Sequence, residues 1–525
     1  MTKTTCSFLL SAVCLVGSFL QAAPKLPGFF SDNMVLQRDI AVPVWGWDDP
    51  GATVTVSFGG QRKQATCDAN GKWMLRLEPM AANAQAQTLT VNGGVISLRN
   101  VVVGDVWICS GQSNMEWSVN DSLDRPGECA KANFPLIRHM KLAHEHGGLR
   151  TQDVSSTWIP AQPQSVRSFT AVGYYFARRL HQELNVPIGL IGTNWGGTRI
   201  EPWVPPVGFR QVPELAQLSA QVDQGDIETS AGRANYIQAF KELSVWSSQV
   251  AGLLEHGELN LPPRPKMPDD GANHQSPTRI YNEMIHPLVP FAIRGAIWYQ
   301  GESNGNEGDS YFHKKQALIG GWRELWKQGD FPFYFVQLAN FQAANNNPAG
   351  GDGWARLREA QRKSLEIPNT GMVVTIDIGH PADIHPKNKQ DVGARLAQWA
   401  LAKEYGQDIV PSGPLYQSMK VEGSAVRIQF DHVGQGLMVG QKAILKPYEP
   451  VKALAPDSLK CFAVAGADRV WHWAEARVDG DTVVVSSPQV AAPVAVRYAY
   501  SMNPEGANLY NREGLPASPF RTDAW

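Results

Sequence analysis

The sequence predicts an α/β protein, a parallel sheet with helices on both faces, carrying an all-β segment at each end. Three observations predict it. Apolar, β-branched runs recur through the middle of the chain: VVVGDVWIC (101–109), VPIGLIGTNW (186–195), FAIRGAIWYQ (291–300), FPFYFVQLAN (331–340) and GMVVTIDIG (371–379). Such continuous runs fit strands covered on both faces. Segments of helical periodicity lie between several of them, the alternation that builds a parallel sheet. Before Val101 and after Asp408 the chain instead alternates apolar and polar residues between closely spaced turn signals, the pattern of sandwich strands.

The elements follow in order. Residues 1–22 read as a signal peptide: Lys3 in a short leading region, an apolar run from Cys6 to Leu20, then small Ala22 and Ala23. The run is short for a membrane span and no other segment reaches the ~18 apolar residues of one. The expectation is an exported protein, periplasmic or extracellular, with no membrane contact after cleavage. Residues 23–100 form an N-terminal β-sandwich domain: AVPVWGW and TVTVSFGG flank the turn Asp49-Pro50-Gly51, and NGKWMLRL and QTLTVNGG continue it. Residues 101–407 are the α/β domain. In AVGYYFARRLHQELN, Val172, Phe176, Leu180 and Leu184 share one helix face; WARLREAQRKSLE (354–366) and KQDVGARLAQWALAKEYG (389–406) are similar. Residues 206–280 interrupt the rhythm as an insertion, a polar helical stretch and then a proline-rich loop. Residues 408–525 return to strands, VRIQFDH, KCFAVAG, RVWHWAEARVDGDTVVVSS and VAVRYAY, as a C-terminal β-sandwich or jelly roll.

Composition narrows the function. Hydrophobic content of 43 % and charged content of 18 % describe a globular chain. A net charge of −2 without a long basic run argues against nucleic acid or an anionic membrane as partner. The 17 tryptophans leave room for sugar stacking. Cys67, Cys109, Cys129 and Cys461 remain after the signal, with Cys109–Cys129 the nearest pair in sequence; free buried thiols are an equal reading.

Four polar motifs each follow a predicted strand: Ser113 after the first, Gly196-Gly197-Thr198 after the second, Gln300-Gly301-Glu302-Ser303-Asn304 after the third, and Asp383-Ile384-His385-Pro386 after the last. Ligands of open α/β sheets bind at the carboxyl ends of the strands, so the four converge on one crevice. Together they supply what ester hydrolysis requires: Ser113 as nucleophile, His385 as its base, Asp383 to orient the imidazole, and oxyanion donors from the Ser113 and Gly197 N–H groups and the Gln300 amide. Asn304 is the alternative donor; a backbone carbonyl, Glu302 or Asp377 is the alternative orienter, or Ser113 and His385 act as a dyad. Pro386 suits the first position of the helix that follows. His139, His144 and His146 lack a carboxylate pattern for a metal. Glu201, Trp203, Trp195 and Trp298 read mainly as packing around the crevice, while Arg279, Tyr281 and Asn282, before the third strand, are candidates to line a sugar pocket.

GDVWICSGQSNMEW, TNWGGTRIEPW, AIWYQGESN and DIHPKNKQDVGARLA, with the tail VRYAYSMNPEGANLYNREGLPASPFRTDAW, resemble the sialate O-acetylesterases of the SGNH-hydrolase superfamily over essentially the whole mature chain. The resemblance implies a flavodoxin-like α/β/α sandwich flanked by N- and C-terminal β-sandwich domains. It implies a secreted serine esterase that removes O-acetyl groups from carbohydrates through an acetyl-serine intermediate, with no metal or organic cofactor. Ser113, Gly197 and His385 match the nucleophile, the second-block glycine and the base. Two departures stand out: the superfamily's aspartate three residues before the histidine is Ala382 here, and the third block reads Gln-Gly-Glu-Ser-Asn. The family implies a 9-O-acetyl sialic acid substrate, for whose carboxylate Arg199 and Arg279 are candidates. Acetylated plant-wall xyloglucan or xylan is the alternative, and a non-catalytic carbohydrate-binding protein the reading from another class.

Overall fold

The computed structural model describes residues 23–525; the segment read as a signal peptide lies outside them. The N-terminal part folds as two facing sheets built from β1 (Val35–Gln37), β2 (Val42–Trp47), β3 (Thr53–Phe58), β4 (Gln61–Thr66), β5 (Lys72–Leu77) and β6 (Asn83–Val91). β2 pairs with β5, while β3 pairs with β4 and β6. Alternate residues such as Val54, Val56, Leu75, Leu77, Leu89 and Val91 meet between the sheets, as period-2 patterning requires.

β7 (Ile96–Gly111) is one continuous strand that serves two sheets. Its first half pairs with β6 and β1, its second half with the strands of the α/β core. The expected boundary at residue 100 therefore falls inside a strand, not in a linker. Asp105, fully buried near the midpoint of β7, accepts hydrogen bonds from Arg38, Gln37, Arg294 and Tyr405. Burial pushes its carboxyl up, but the two guanidinium groups outweigh burial and hold its pKa below the usual range.

After β7 come α1 (Ser113–Glu116), α2 (Arg125–Ala130), β8 (Phe134–Lys141), β9 (Ile159–Ala161), α3 (Ala171–Leu184) and β10 (Ile188–Asn194). The 206–280 region holds α4 (Pro206–Arg210), α5 (Ala216–Gly225) and α6 (Ser230–Glu255), then an irregular proline-rich stretch. β11 (Gly295–Tyr299), α7 (Asp309–Trp326), β12 (Phe333–Val336), α8 (Gly353–Lys363), β13 (Thr370–Val373) and α9 (Lys389–Lys403) complete the core. The sheet runs β13-β12-β11-β7-β10-β8-β9, parallel except for the edge strand β9. From β7 the chain goes out to β8 and the edge strand β9, returns to place β10 between β8 and β7, then crosses to β11 and builds outward on the other side through β12 and β13. The switch point lies between β7 and β11, where a crevice opens at the carboxyl ends. Trp107 of β7 packs on Phe176 of α3, while Trp298 of β11, facing the opposite side, packs on Trp322 of α7. The core is thus α/β/α, with β8 and α7 added to the elements expected from sequence.

The C-terminal strands form three small antiparallel sheets, containing among others Ala425–Asp431, Phe462–Ala465, Thr482–Ser486 and Ala495–Tyr498. The tail docks back on the core: fully buried Arg358 of α8 donates to the carbonyls of Ser501 and Met502. The four cysteines of the described residues are free, so the Cys109–Cys129 pairing does not occur; burial pushes the Cys109 thiol far up. Among the described residues no helix is long and apolar enough to cross a membrane.

Candidate active site

Ser113 sits at the first turn of α1, directly beyond β7. Gly111 makes the approach possible: its φ is +131°, and a Cβ there would lie 2.2 Å from the Tyr299 carbonyl oxygen. His385 comes from the loop before α9 and points its Nε2 at Ser113 Oγ, 2.9 Å away. These two residues, 272 positions apart in the chain, meet across the switch point. The imidazole stacks on Trp117, with centroids 4.8 Å apart and planes 16° apart. Burial and nearby Lys389 lower its pKa below the ordinary imidazole value, against a smaller opposing pull from Asp383. The shift favours the neutral ring, the form a general base needs.

The Gly196-Gly197 turn leaves the end of β10 and lies against Ser113: a Cβ on Gly196 would be 3.3 Å from Ser113 Cβ. Glu116 Oε2 accepts the Gly196 N–H at 2.8 Å. Gln275 Nε2 and Ser303 Oγ both donate to the Gly197 carbonyl at 2.9 Å. Gly197 has φ +75°, which glycine adopts without strain. Among the described residues neither the Ser113 nor the Gly197 N–H donates to a protein acceptor.

Several expected roles change. Gln300 is fully buried, and its amide hydrogens are committed to the Thr198 carbonyl (3.2 Å) and Asn304 Oδ1 (2.7 Å), while its Oε1 accepts from Tyr311. It has no donor left for an oxyanion. Asn304 is buried too, donating to Glu201 and Glu307 and accepting from the Ile200 N–H. Both brace the wall behind the crevice, because amides buried at a strand end must satisfy each other. Asp383 Oδ1 lies 3.7 Å from His385 Nδ1, outside hydrogen-bond range, and instead accepts the His385 backbone N–H at 2.9 Å. Asp377 forms a two-pronged pair with Arg395, both contacts 2.7 Å, away from the imidazole. Pro386 does not open the helix: Asn388 caps it, accepting from the Asp391 N–H, and α9 starts at Lys389.

Tyr281 is 1 % exposed and belongs to the core, packing edge-on against His286. Asn282, also buried, donates to the Gly147 and Gly148 carbonyls. It and Arg279 line a cavity of about 420 Å³ beneath α5 and α6, whose walls include none of Ser113, Gly197 and His385. Arg199 is tied to Glu201 and Glu307. Burial pushes the Glu201 carboxyl up, but Arg199 and Lys314 hold its pKa down at about 2. Trp195 is sandwiched between His144 (4.6 Å) and His274 (5.0 Å), and Trp298 is fully buried with Trp203 and Trp322. Neither tryptophan offers a free face to a sugar.

Three residues at the site went unnoticed in the sequence. Asn114 donates to Glu302 Oε1 (2.5 Å) and to the Ile384 carbonyl (3.0 Å). Lys389, with no exposed surface, donates to Asn114 Oδ1 (2.6 Å) and the Pro386 carbonyl (2.5 Å). Trp117 supports the imidazole. A signal existed for Lys389: a cation in the first turn of a helix opposes the helix dipole. Burial pushes Lys389 down to about 7, and pushes the Glu302 carboxyl above its ordinary value.

Comparison with known proteins supplies a family for the chain. A family model described as carbohydrate esterase, sialic acid-specific acetylesterase, matches residues 271–402. Mouse sialate O-acetylesterase is 28 % identical over 547 residues, covering 94 % of each chain. The human protein of that name is 28 % identical over 549 residues, covering 94 % of this chain and 92 % of its own. The crystal structure of a carbohydrate acetylesterase from Xanthomonas citri is 38 % identical, with a TM-score of 0.77, and covers 96 % of this chain and 100 % of that one. The chain therefore belongs to the sialate O-acetylesterase family of carbohydrate acetylesterases and is a carboxylic ester hydrolase.

Proposed function

We propose that this enzyme is an exported serine esterase that removes acetyl groups from sugar hydroxyls through an acetyl-Ser113 intermediate. The 2.9 Å contact between Ser113 Oγ and His385 Nε2 carries the reading. Ser113 Oγ attacks the acetyl carbonyl carbon as His385 takes its proton. The Ser113 and Gly197 N–H groups donate to the oxyanion of the tetrahedral intermediate, two donors where the sequence pointed to three. Collapse breaks the bond to the sugar oxygen, which leaves with the proton from His385. Water then attacks the acetyl-enzyme, using the same base, and releases acetate. Export rests on the segment 1–22, and the division into an N-terminal β-sandwich, an α/β domain and a C-terminal β domain is the reading of the sheets above.

Ser113→Ala tests the mechanism on p-nitrophenyl acetate. The expected loss of kcat is about 10⁴-fold or more, together with loss of labelling by a serine-directed fluorophosphonate. A variant that keeps most of its activity removes Ser113 from the chemistry, and glycan binding without esterase activity in the wild type would favour a binding protein.

The sialate-specific family model and the mammalian relatives favour O-acetyl sialic acid as substrate. One observation favours a neutral sugar, such as acetylated xyloglucan or xylan. Arg199, beside the Gly-Gly turn, is neutralised by Glu201 and Glu307 and offers no unpaired charge to a sialate carboxylate. Acetate release from O-acetyl sialosides, xylan and xyloglucan, with Ser113→Ala as control, separates the two.

A further inference from the structure

We propose that Lys389 and Asn114 are the positioning residues of the catalytic imidazole, and that they hold His385 by its backbone instead of by its ring. The inference rests on the Ser113–His385 reading above. In the familiar serine-hydrolase arrangement a carboxylate accepts the imidazole Nδ1–H and fixes the ring. Here Asp383 is 3.7 Å from Nδ1, and no other protein acceptor bonds that nitrogen among the described residues. What is held is the peptide that precedes the residue and the carbonyl of the residue that follows it. The Ile384 carbonyl accepts from Asn114 Nδ2 at 3.0 Å, and the Pro386 carbonyl accepts from Lys389 Nζ at 2.5 Å.

The two donors are themselves joined, Lys389 Nζ to Asn114 Oδ1 at 2.6 Å, and Asn114 passes the connection to Glu302 Oε1 at 2.5 Å. Asn114 follows the nucleophile directly in sequence, and Glu302 lies in the loop after β11. One buried network therefore ties the nucleophile loop, the base loop and the third loop of the crevice. Trp117 closes it from the side, stacking on His385 while lying 5.7 Å from Lys389 Nζ. The Tyr299 ring lies 5.6 Å from the same nitrogen.

Placing a lysine here is unfavourable twice over. The side chain has no exposed surface, and its position at the start of α9 faces the positive end of the helix dipole. Methionine would fill the same volume without either cost. The ammonium earns its place only by what it bonds, and its acceptors are the Pro386 carbonyl and the side chain that holds Ile384. Removing it frees the base loop to shift relative to Ser113 Oγ, and misplacement of a reacting group acts on turnover more than on binding.

The test is Lys389→Met in the full chain, with kcat and KM on p-nitrophenyl acetate, the rate of fluorophosphonate labelling, and Tm. The expected result is a kcat lower by about 10- to 100-fold, KM within about twofold, and labelling slowed in parallel. Asn114→Ser should behave the same way, and the double variant should be no slower than the slower single one, because the two act as a unit. A wild-type kcat in Lys389→Met, a loss confined to KM, or a double-variant loss equal to the product of the single losses overturns the proposal. If Lys389→Met does not fold, Asn114→Ser decides by its kcat, KM and labelling rate. Activity retained in Ser113→Ala would defeat the underlying mechanism; an inactive Ser113→Ala beside an unimpaired Lys389→Met would defeat this inference alone.

Discussion

Asp383→Asn separates two ways of holding the catalytic histidine. The carboxylate lies 3.7 Å from His385 Nδ1, with the two side chains 37 % and 29 % exposed. In such solvent-screened surroundings a pair at that distance interacts by about 1 kcal/mol, less than about one pKa unit. Asparagine keeps the side-chain oxygen that accepts the His385 N–H at 2.9 Å, so the turn survives. The expected plateau kcat falls by no more than about fivefold. The pH dependence follows from the sign of the shift. Neutral imidazole is the active base, and burial and Lys389 already lower its pKa against the opposing pull of Asp383. Removing that charge lowers it further, so the acid limb of kcat/KM moves to lower pH in the variant. The measurement is p-nitrophenyl acetate hydrolysis from about pH 4.5 to about pH 9. In a triad whose carboxylate fixes the histidine tautomer, the same change costs about 10⁴-fold. A loss of about 10³-fold or more in Asp383→Asn would therefore refute the backbone-held account.

Gln300→Leu should lower stability by about 3 kcal/mol in urea unfolding, because Asn304, Thr198 and Tyr311 lose a buried partner. Its kcat should stay within about fivefold; a loss of about 10²-fold or more would restore Gln300 as an oxyanion donor. Gly197→Ala places a Cβ in open space but at φ +75°, costing about 1–2 kcal/mol in a left-handed conformation. Relaxation of the turn should turn the N–H away and lower kcat by about tenfold or more; unchanged kcat would exclude that N–H from the oxyanion hole. Asp105→Asn removes a buried charge from Arg38 and Arg294 and should cost about 3–5 kcal/mol of stability. Because the folded-state pKa of Asp105 is depressed, its contribution is complete above the unfolded carboxylate range and is lost as pH falls through the folded value. The gap in urea midpoint between wild type and variant should narrow in acid, and a gap independent of pH would contradict the assignment.

The strongly apolar strands were legible because a strand covered on both faces has only one way to read. β7, β10 and β11 all appear where the apolar runs lie. β8 is hidden in the sequence because FPLIRHMK carries three cationic-type side chains; two of them, Arg138 and His139, are nevertheless buried. Arg138 donates to backbone carbonyls of Asn33, Met34 and Asn100, partners that no local pattern announces. α7 was missed because Gly320 and Gly321 break its periodicity, yet Gly321 is where α4 packs: a Cβ there would lie 2.9 Å from Gly208 Cα.

The sequence alone determined the chemistry that is possible: a serine, a glycine turn and a histidine, each placed at a strand end, and the topology that brings strand ends to one edge. That much follows from local patterning, since strand, turn and helix are set by neighbours in the chain. Only the tertiary structure decided which polar groups face the crevice and which face each other. Gln300, Asn304, Asp377 and Asp383 all had suitable functional groups, but burial commits the first three to partners and geometry leaves the fourth 3.7 Å from the ring. Hydrogen bonds inside a protein are claimed by whichever partners packing brings within reach. For the residues that flank His385 those partners are Asn114, next to the nucleophile, at the Ile384 carbonyl, and Lys389, on the following helix, at the Pro386 carbonyl.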